Sequence, residues 1–329
     1  MIIQVMLSFA VALAVSVTAG LVLIPVLRRM KVGQPIQEDG PVWHSTKEGT
    51  PTMGGIIFIS GIIIACLITG FGEMTAGNYS HIIVLSFALI FSLIGFLDDY
   101  EKLKKKQNLG LTAKQKFLLQ LIAAIAFVLT MQLTGNLTTS VYVPFVNITF
   151  TLPAVIYYIF AAFVIVGTVN SVNITDGIDG LSSGVTIPVA ASFTAIALLW
   201  GDTANGITAA AIVGGLIGFL FFNFYPAKVF MGDTGSLFLG GAVCALAFSM
   251  DIPLILIPLG IVYFIETLSV IVQVTYFKLT KGKRIFKMSP IHHHFEMCGW
   301  SEYKVFAVFT TVSAIFAVIS YFGVYQRYG

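Results

Sequence analysis

The 329-residue chain is 57% hydrophobic and 10% charged, with a formal net charge of +3 and a mean hydropathy of +0.93. A soluble domain of this length would expose far more Lys and Glu, so composition excludes a water-soluble globule. Apolar runs recur along the whole chain, each long enough to cross about 30 Å of hydrocarbon as a helix. Only helices or closed barrels satisfy their backbone groups in lipid, and these runs lack the alternation of barrel strands. The reading is an all-α polytopic membrane protein with about ten transmembrane helices in one domain, residues 1–329.

In chain order the predicted spans are 2–27, 53–72, 80–97, 117–134, 153–170, 181–200, 207–223, 236–250, 253–277 and 304–325. The first lacks a basic n-region and a small-residue cleavage site, so it reads as a retained helix rather than a signal peptide. Placing the N-terminus outside puts 28–52, 98–116, 171–180, 224–235 and 278–303 inside. Those segments, with Lys304 at the border of the last, hold seventeen of the eighteen Lys and Arg residues, and only Arg327 falls outside. The positive-inside rule therefore predicts both termini extracytoplasmic and a basic cytoplasmic face, suited to anionic headgroups or phosphorylated substrates. Outside, residues 135–152 alternate polar and apolar and predict a small hairpin. Cys66 and Cys244 fall in spans and Cys298 in a cytoplasmic segment, which suggests neither a disulfide framework nor a Cys metal site. Nothing points to a nucleic-acid partner.

Four cytoplasmic segments carry polar residues whose placement at a membrane boundary needs a reason. Asp98 and Asp99, at the inner end of the third span, repel each other unless a cation or Lys compensates; a solvated helix end is the plain alternative. Asn173, Asp176 and Asp179 are spaced by three and share a side of one helical turn, while Gly177 and Gly180 let backbone approach a ligand. The terminal Glu of a calcium loop is missing, so an EF-hand is disfavoured. Gly232-Asp233-Thr234-Gly235-Ser236 precedes an apolar helix, where backbone N–H groups and hydroxyls can receive phosphate oxygens, although such residues are also ordinary turn formers. His292, His293 and His294 follow a basic run. Adjacent residues on a helix diverge, so three-coordinate zinc from them is geometrically poor, and phosphate hydrogen bonding suits them better.

All four constellations reach the same face under a topology chosen from Lys and Arg alone. Carboxylates, amides, lysines and histidines together form the set needed for Mg²⁺-assisted phosphoryl transfer. No GxxxxGK[ST] loop is present, which disfavours a nucleotide-driven motor. Glu266, the conspicuous charge within a predicted span, would suit a transporter's proton site, but no internal repeat or matched pair of interrupted helices supports transport.

Asp98-Asp99, the NxxDGxDG segment at 173–180, FNFYPAKVFMGDTGS and PIHHHFE resemble, in order and spacing, the motifs of bacterial phospho-N-acetylmuramoyl-pentapeptide transferases. These belong to the polyprenyl-phosphate N-acetylhexosamine-1-phosphate transferase superfamily. The resemblance covers essentially all the predicted helices. It implies transfer of phospho-MurNAc-pentapeptide from UDP-MurNAc-pentapeptide to undecaprenyl phosphate, giving lipid I and UMP for peptidoglycan synthesis. It further implies Mg²⁺ as cofactor, a homodimer, and a bacterial plasma membrane location with a cytoplasmic active site. Residue by residue, Asp233 matches the magnesium-binding aspartate, and Asp98 and Asp99 the essential pair at the lipid-phosphate side. His292, His293 and His294 match the triple-histidine motif. Asn173, Asp176 and Asn223 match polar members of the cleft, and Lys114 matches a lysine associated with phosphate recognition, with Lys102 beside the aspartate pair as a further substrate-binding candidate. Phe230 offers a stacking face for uracil, and Lys47, Thr52, Gly177, Asp179 and Gln273 correspond to positions near the nucleotide. A sister enzyme acting on UDP-GlcNAc would use the same carboxylates and metal; the PIHHHFE motif favours the muramoyl-pentapeptide enzyme.

Overall fold

Ser8, Ala12, Ser16 and Gly20 recur every four residues along the first apolar run, and they form the buried stripe of a helix whose other faces remain exposed. The computed structural model describes residues 1–29, 47, 49–105, 107, 109–135 and 137–327. Lys31, Lys106 and most of the predicted inside segment 28–52 therefore lie outside the described residues. In chain order the helices are α1 (Ile2–Arg29), α2 (Gly55–Thr69), α3 (Phe71–Thr75), α4 (Ser80–Lys105), α5 (Ala113–Leu133), α6 (Ala154–Thr175) and α7 (Leu181–Trp200). They continue with α8 (Thr203–Asn223), α9 (Gly232–Ser249), α10 (Leu256–Leu259), α11 (Ile261–Leu279), α12 (Ile291–Met297) and α13 (Glu302–Tyr325). Among the described residues nine of these are long and apolar enough to cross a membrane, and α2 is a shorter apolar helix. The chain is thus an all-α polytopic membrane protein.

Two differences from the predicted spans have physical causes. The span 253–277 is broken into a 3₁₀ turn (Pro253–Ile255), α10 and α11. Its hydropathy is unbroken, but Pro253 and Pro258 donate no backbone hydrogen bond and Gly260 ends α10. The polar ends also extend further than hydropathy suggests: α4 runs on to Lys105, α6 to Thr175, and α9 starts at Gly232. Those extensions carry Asp98, Asp99, Asn173 and Asp233.

The predicted hairpin is present: β1 (Ser140–Val143) pairs antiparallel with β2 (Ile148–Thr151), Val141 opposite Phe150. Its tip docks on α13, where the Phe145 N–H donates to the Gly323 carbonyl at 2.8 Å. Arg327, just beyond α13, donates to the Asp251 carbonyl at 2.6 Å beyond the end of α9. Ser8, near the N-terminus, donates to the Ile207 carbonyl at the start of α8 at 2.9 Å. Ser8 and Arg327, near the two ends of the described chain, therefore lie at the end of the bundle opposite the start of α9.

The centre of the bundle is α9, 83% of whose apolar window is buried, packed by α4, α6 and α2. Lipid tails are as apolar as Leu, so such helices associate through small residues that let backbones approach. At the α4–α9 crossing a Cβ on Gly95 would lie 2.1 Å from the Asp233 carbonyl oxygen. Hydrogen is the only substituent this crossing admits, and it brings the polar end of α4 onto the first turn of α9.

Candidate active site

A helix leaves its first four N–H groups without intrahelical partners. At α9 the residue before the helix, Met231, provides no side-chain cap. Asp99 of α4 supplies it instead: its Oδ1 accepts from the Asp233 N–H at 3.2 Å, and its Oδ2 accepts from the Thr234 N–H at 2.9 Å and the Thr234 hydroxyl at 2.7 Å. An anion at a helix N-terminus is also favoured by the helix dipole. The Asp99 side chain is fully buried and both its oxygens are engaged. Gly232, at φ +72°, makes this approach feasible, since a Cβ there would lie 2.7 Å from Asp99 Oδ2 and 2.9 Å from Thr52 Oγ1. The buried Thr52 hydroxyl has no hydrogen-bond partner among the described residues.

Asp98 turns the other way. Its Oδ1 accepts from the Leu111 N–H at 2.8 Å, and its Oδ2 faces the Lys102 ammonium at 2.7 Å. Asp233 Oδ2 receives two ammonium groups, Lys102 at 2.9 Å and Lys116 at 2.7 Å. Its Oδ1 accepts from Asn173 Nδ2 at 2.9 Å, and the same amide donates to Ser236 Oγ at 2.7 Å. One oxygen from each of Asp98, Asp99 and Asp233 lies within 4.8 Å of the others. Three carboxylates this close repel strongly unless cations intervene, and the two lysines provide that compensation. The donor set is all oxygen and anionic, with an orphan hydroxyl beside it, and so fits a hard divalent cation such as Mg²⁺.

The segment after α6 lies alongside. Burial, reinforced by the negative charges of Asp233, Asp99 and Asp179, pushes the Asp176 carboxyl well above the usual carboxylate range. Gly177 rests on His292, for a Cβ there would lie 2.1 Å from His292 Nε2. The three histidines of α12 diverge as their adjacency on a helix requires. His292 is buried, with Nδ1 3.0 Å from Glu266 Oε2; His293 Nδ1 lies 2.6 Å from Glu296 Oε2; His294 Nδ1 accepts from the Lys287 N–H at 3.1 Å.

Lys47 joins a second ionic group, 2.8 Å from Asp179 Oδ1 and 2.7 Å from Glu302 Oε2. Burial opposes the charge on Lys47, but the Asp179 and Glu302 carboxylates outweigh it and hold the ammonium above its ordinary value. Asp179 Oδ2 also accepts from the Ala227 N–H at 2.8 Å, which ties the loop before α9 to this group. Phe230 is half-buried, and its N–H donates to the Pro51 carbonyl at 2.8 Å, so it borders the segment that carries Thr52.

Asp98, Asp99, Asp233, Lys102 and Asn173 are thus brought together, with Asp176 and Thr52 at the edge. Asn223 and Gln273 bind backbone: Asn223 Nδ2 donates to the Val229 carbonyl at 3.0 Å, and Gln273 holds residues 285 and 286 through three bonds of 3.0 Å. Lys114 is exposed in the first turn of α5, whereas Lys116, about 200° further around the helix, reaches Asp233. Sequence reasoning missed Lys116 and Glu302 as site residues. The first lay two positions from the motif match, and no local pattern marks the second.

Apolar helices that converge on a carboxylate and ammonium cluster at one end define a membrane-bound transferase for a phosphate-bearing substrate. Residues 81–251 match the model described as Glycosyl transferase family 4, and residues 47–59 match phospho-N-acetylmuramoyl-pentapeptide-transferase signature 1. The chain is 47% identical over 316 residues to the phospho-N-acetylmuramoyl-pentapeptide-transferase of Clostridium acetobutylicum, covering 95% of this chain and 97% of that one. It is 50% identical to the protein of the same name from Heliobacterium modesticaldum, covering 95% of each, and 48% identical to that of Caldanaerobacter subterraneus, covering 96% of each. The chain belongs to the phospho-N-acetylmuramoyl-pentapeptide-transferase family.

Proposed function

We propose that this enzyme transfers phospho-MurNAc-pentapeptide from UDP-MurNAc-pentapeptide to undecaprenyl phosphate, giving lipid I and UMP, at the cytoplasmic face of a bacterial plasma membrane. The observation that carries the reading is the convergence of Asp98, Asp99 and Asp233 on Lys102 and Lys116 at one end of a membrane bundle. An oxygen of the acceptor phosphate attacks the phosphorus linked to the sugar, the bond from that phosphorus to the UMP oxygen breaks, and UMP leaves with the electron pair. Asp233, with Asp98 alongside, would hold a Mg²⁺ ion, which would supply Lewis-acid neutralisation of the donor diphosphate.

Lys102 and Lys116 neutralise phosphate charge, and Asn173 fixes the orientation of Asp233. Asp98, held by the Leu111 N–H, accepts a proton from an acceptor that arrives protonated. Asp99 anchors the first turn of α9. Phe230 stacks on uracil, the Lys47–Asp179–Glu302 group organises the nucleotide side, and His293 and His294 line the phosphate route from α12, which buried His292 ties to Glu266. Support for the cytoplasmic orientation comes from the seventeen basic residues on one side and from Ser8 and Arg327, which share the opposite end of the bundle. The homodimeric state follows from family resemblance alone, and the protein mass in detergent tests it.

UMP release in detergent tests the reading, with UDP-MurNAc-pentapeptide or UDP-GlcNAc as donor, polyprenyl phosphate as acceptor, and Mg²⁺ present or chelated. Release with the first donor only, and only with Mg²⁺, is the expected result. Turnover of UDP-GlcNAc in its place would assign the chain to the sister activity.

A further inference from the structure

From Phe117 through Thr175 the chain holds no Asp, Glu, Lys, Arg or His. The stretch comprises most of α5, all of α6, and the hairpin that joins them at the end of the bundle opposite the carboxylate cluster. An exposed connection in water draws on charged residues, the types most often left outside, and this one has none. Strand β1 faces protein: Val141 and Tyr142 are buried, the Arg327 guanidinium lies 4.8 Å from the Tyr142 ring centroid, and Thr138, just before β1, bonds the Asp251 carboxylate. Strand β2 is the reverse. All four of its residues are exposed, and its second edge pairs with no strand among the described residues. Ile148 and Phe150, 54% and 44% exposed, share one face of the strand, while Thr149 and Thr151 take the other.

Helix length sets the depth of the hairpin. Lys116 and Asn173 both touch Asp233, so they mark the polar boundary on the cluster side. Leu133, the last residue of α5, is about 26 Å along the axis from Lys116, and Ala154, the first of α6, about 28 Å from Asn173. The hydrocarbon layer is about 30 Å thick, and any tilt shortens the reach of a helix. Both helices therefore end at or short of the far hydrocarbon boundary, and the hairpin begins there. The outermost side chains agree, for Leu133 is 87% and Val155 69% exposed. At most about 18 Å of extended chain separates Val155 from Phe150, so the lipid-facing surface of α6 continues into β2. Water would leave Ile148 and Phe150 stranded, and hydrocarbon would strand the unpaired N–H and C=O groups of the β2 edge. The headgroup layer satisfies both.

We propose that β2 docks on the lipid surface of the leaflet opposite the carboxylate cluster, with Ile148 and Phe150 at the boundary between headgroups and acyl chains and Thr149 toward water. The turn 145–147 stays outside this contact, because the Phe145 N–H holds it to Gly323 of α13. The test reconstitutes the full chain in phosphatidylcholine vesicles in a Cys298→Ser background, whose other two cysteines are buried. A nitrobenzoxadiazole fluorophore is attached in detergent to one added cysteine, from Ile148→Cys, Thr149→Cys or Phe150→Cys. Brominated acyl chains and iodide equilibrated on both sides of the membrane serve as quenchers in separate arms. Labels at 148 and 150 are expected to be quenched about threefold more by brominated lipid than the label at 149, with the order reversed for iodide. Ile148→Cys and Phe150→Cys report separately, so if one fails to fold the other still decides. Equal iodide quenching at all three positions would place the hairpin in water. Shielding of 148 and 150 from both quenchers would assign the face to a second copy of the chain, and either result overturns the proposal.

Discussion

His292 Nδ1 stands 3.0 Å from Glu266 Oε2, and neither side chain exposes any surface. Opposite an ionised carboxylate, which only accepts, Nδ1 carries the proton, and Nε2 faces the backbone of Gly177. Glu266→Ala leaves a buried donor unpaired and is expected to cost about 1–3 kcal/mol of stability, whereas Glu266→Gln keeps an accepting oxygen and loses less. Thermal unfolding in detergent measures both. Equal melting temperatures for wild type and the Ala variant would remove the pair from the packing of α12.

Lys116 and Lys114 separate a site contact from a surface charge. Lys116 meets Asp233 at 2.7 Å, while Lys114 points away on the same helix. Lys116→Gln is expected to lower UMP release about 10²–10³-fold, the loss usual when one preorganised donor is removed. Lys114→Gln should cost less than about threefold, as fits an exposed charge. The reverse ranking would show that phosphate recognition runs along the outer face of α5.

Asp99 accepts three hydrogen bonds from the first turn of α9, which makes it an anchor before it is a reactant. In Asp99→Asn one oxygen becomes an amide that donates, so at least one buried N–H loses its partner at about 1–3 kcal/mol. Thr234→Val removes only the hydroxyl bond and should cost about 1 kcal/mol. If Asp99→Asn unfolds at the wild-type temperature yet is inactive, the residue acts chemically and the anchoring role fails.

Orientation has its own test. In a Cys298→Ser background, Val146→Cys at the hairpin tip should react with an impermeant thiol reagent in intact cells, and Gln107→Cys beyond α4 should not. Opposite labelling would put the carboxylate cluster outside and end the cytoplasmic reading.

Much of this arrangement is legible in sequence because lipid imposes simple rules. Apolar runs of bilayer length announce helices, and one-sided lysines announce a face. The break before α11 is invisible to hydropathy, because Pro253, Pro258 and Gly260 sit in a run that stays apolar. The true ends of α4 and α9 are equally hidden, since each is stabilised by the other: Asp99 supplies the cap that Met231 lacks. Motifs located the aspartates, yet long-range partners such as Glu302 for Lys47 depend on a crossing of distant segments that no local pattern encodes. Conversely, Asn223 and Gln273 carry motif resemblance but spend their side chains on backbone.

The surroundings of Asp98 sharpen the mechanistic alternative between proton acceptor and covalent nucleophile. Its Oδ1 is held by the Leu111 N–H and its Oδ2 by Lys102, which orients the carboxylate but leaves it only 3% exposed. A nucleophile must reach the donor phosphorus in line, whereas a base needs contact only with a proton on the acceptor oxygen. A phosphate monoester loses its second proton near pH 6, by analogy with phosphorylated side chains. If Asp98 is the base, the defect of Asp98→Asn should therefore shrink as pH rises from about 6 to about 9, because more acceptor arrives ionised and needs no proton removed. A covalent role allows no such rescue, since an amide forms no aspartyl-phosphate at any pH. Initial rates of UMP release for wild type and Asp98→Asn across that range, at saturating Mg²⁺, decide between them. A deficit constant with pH, with a phospho-sugar adduct trapped on Asp98 when the lipid acceptor is withheld, would replace direct attack by a two-step transfer.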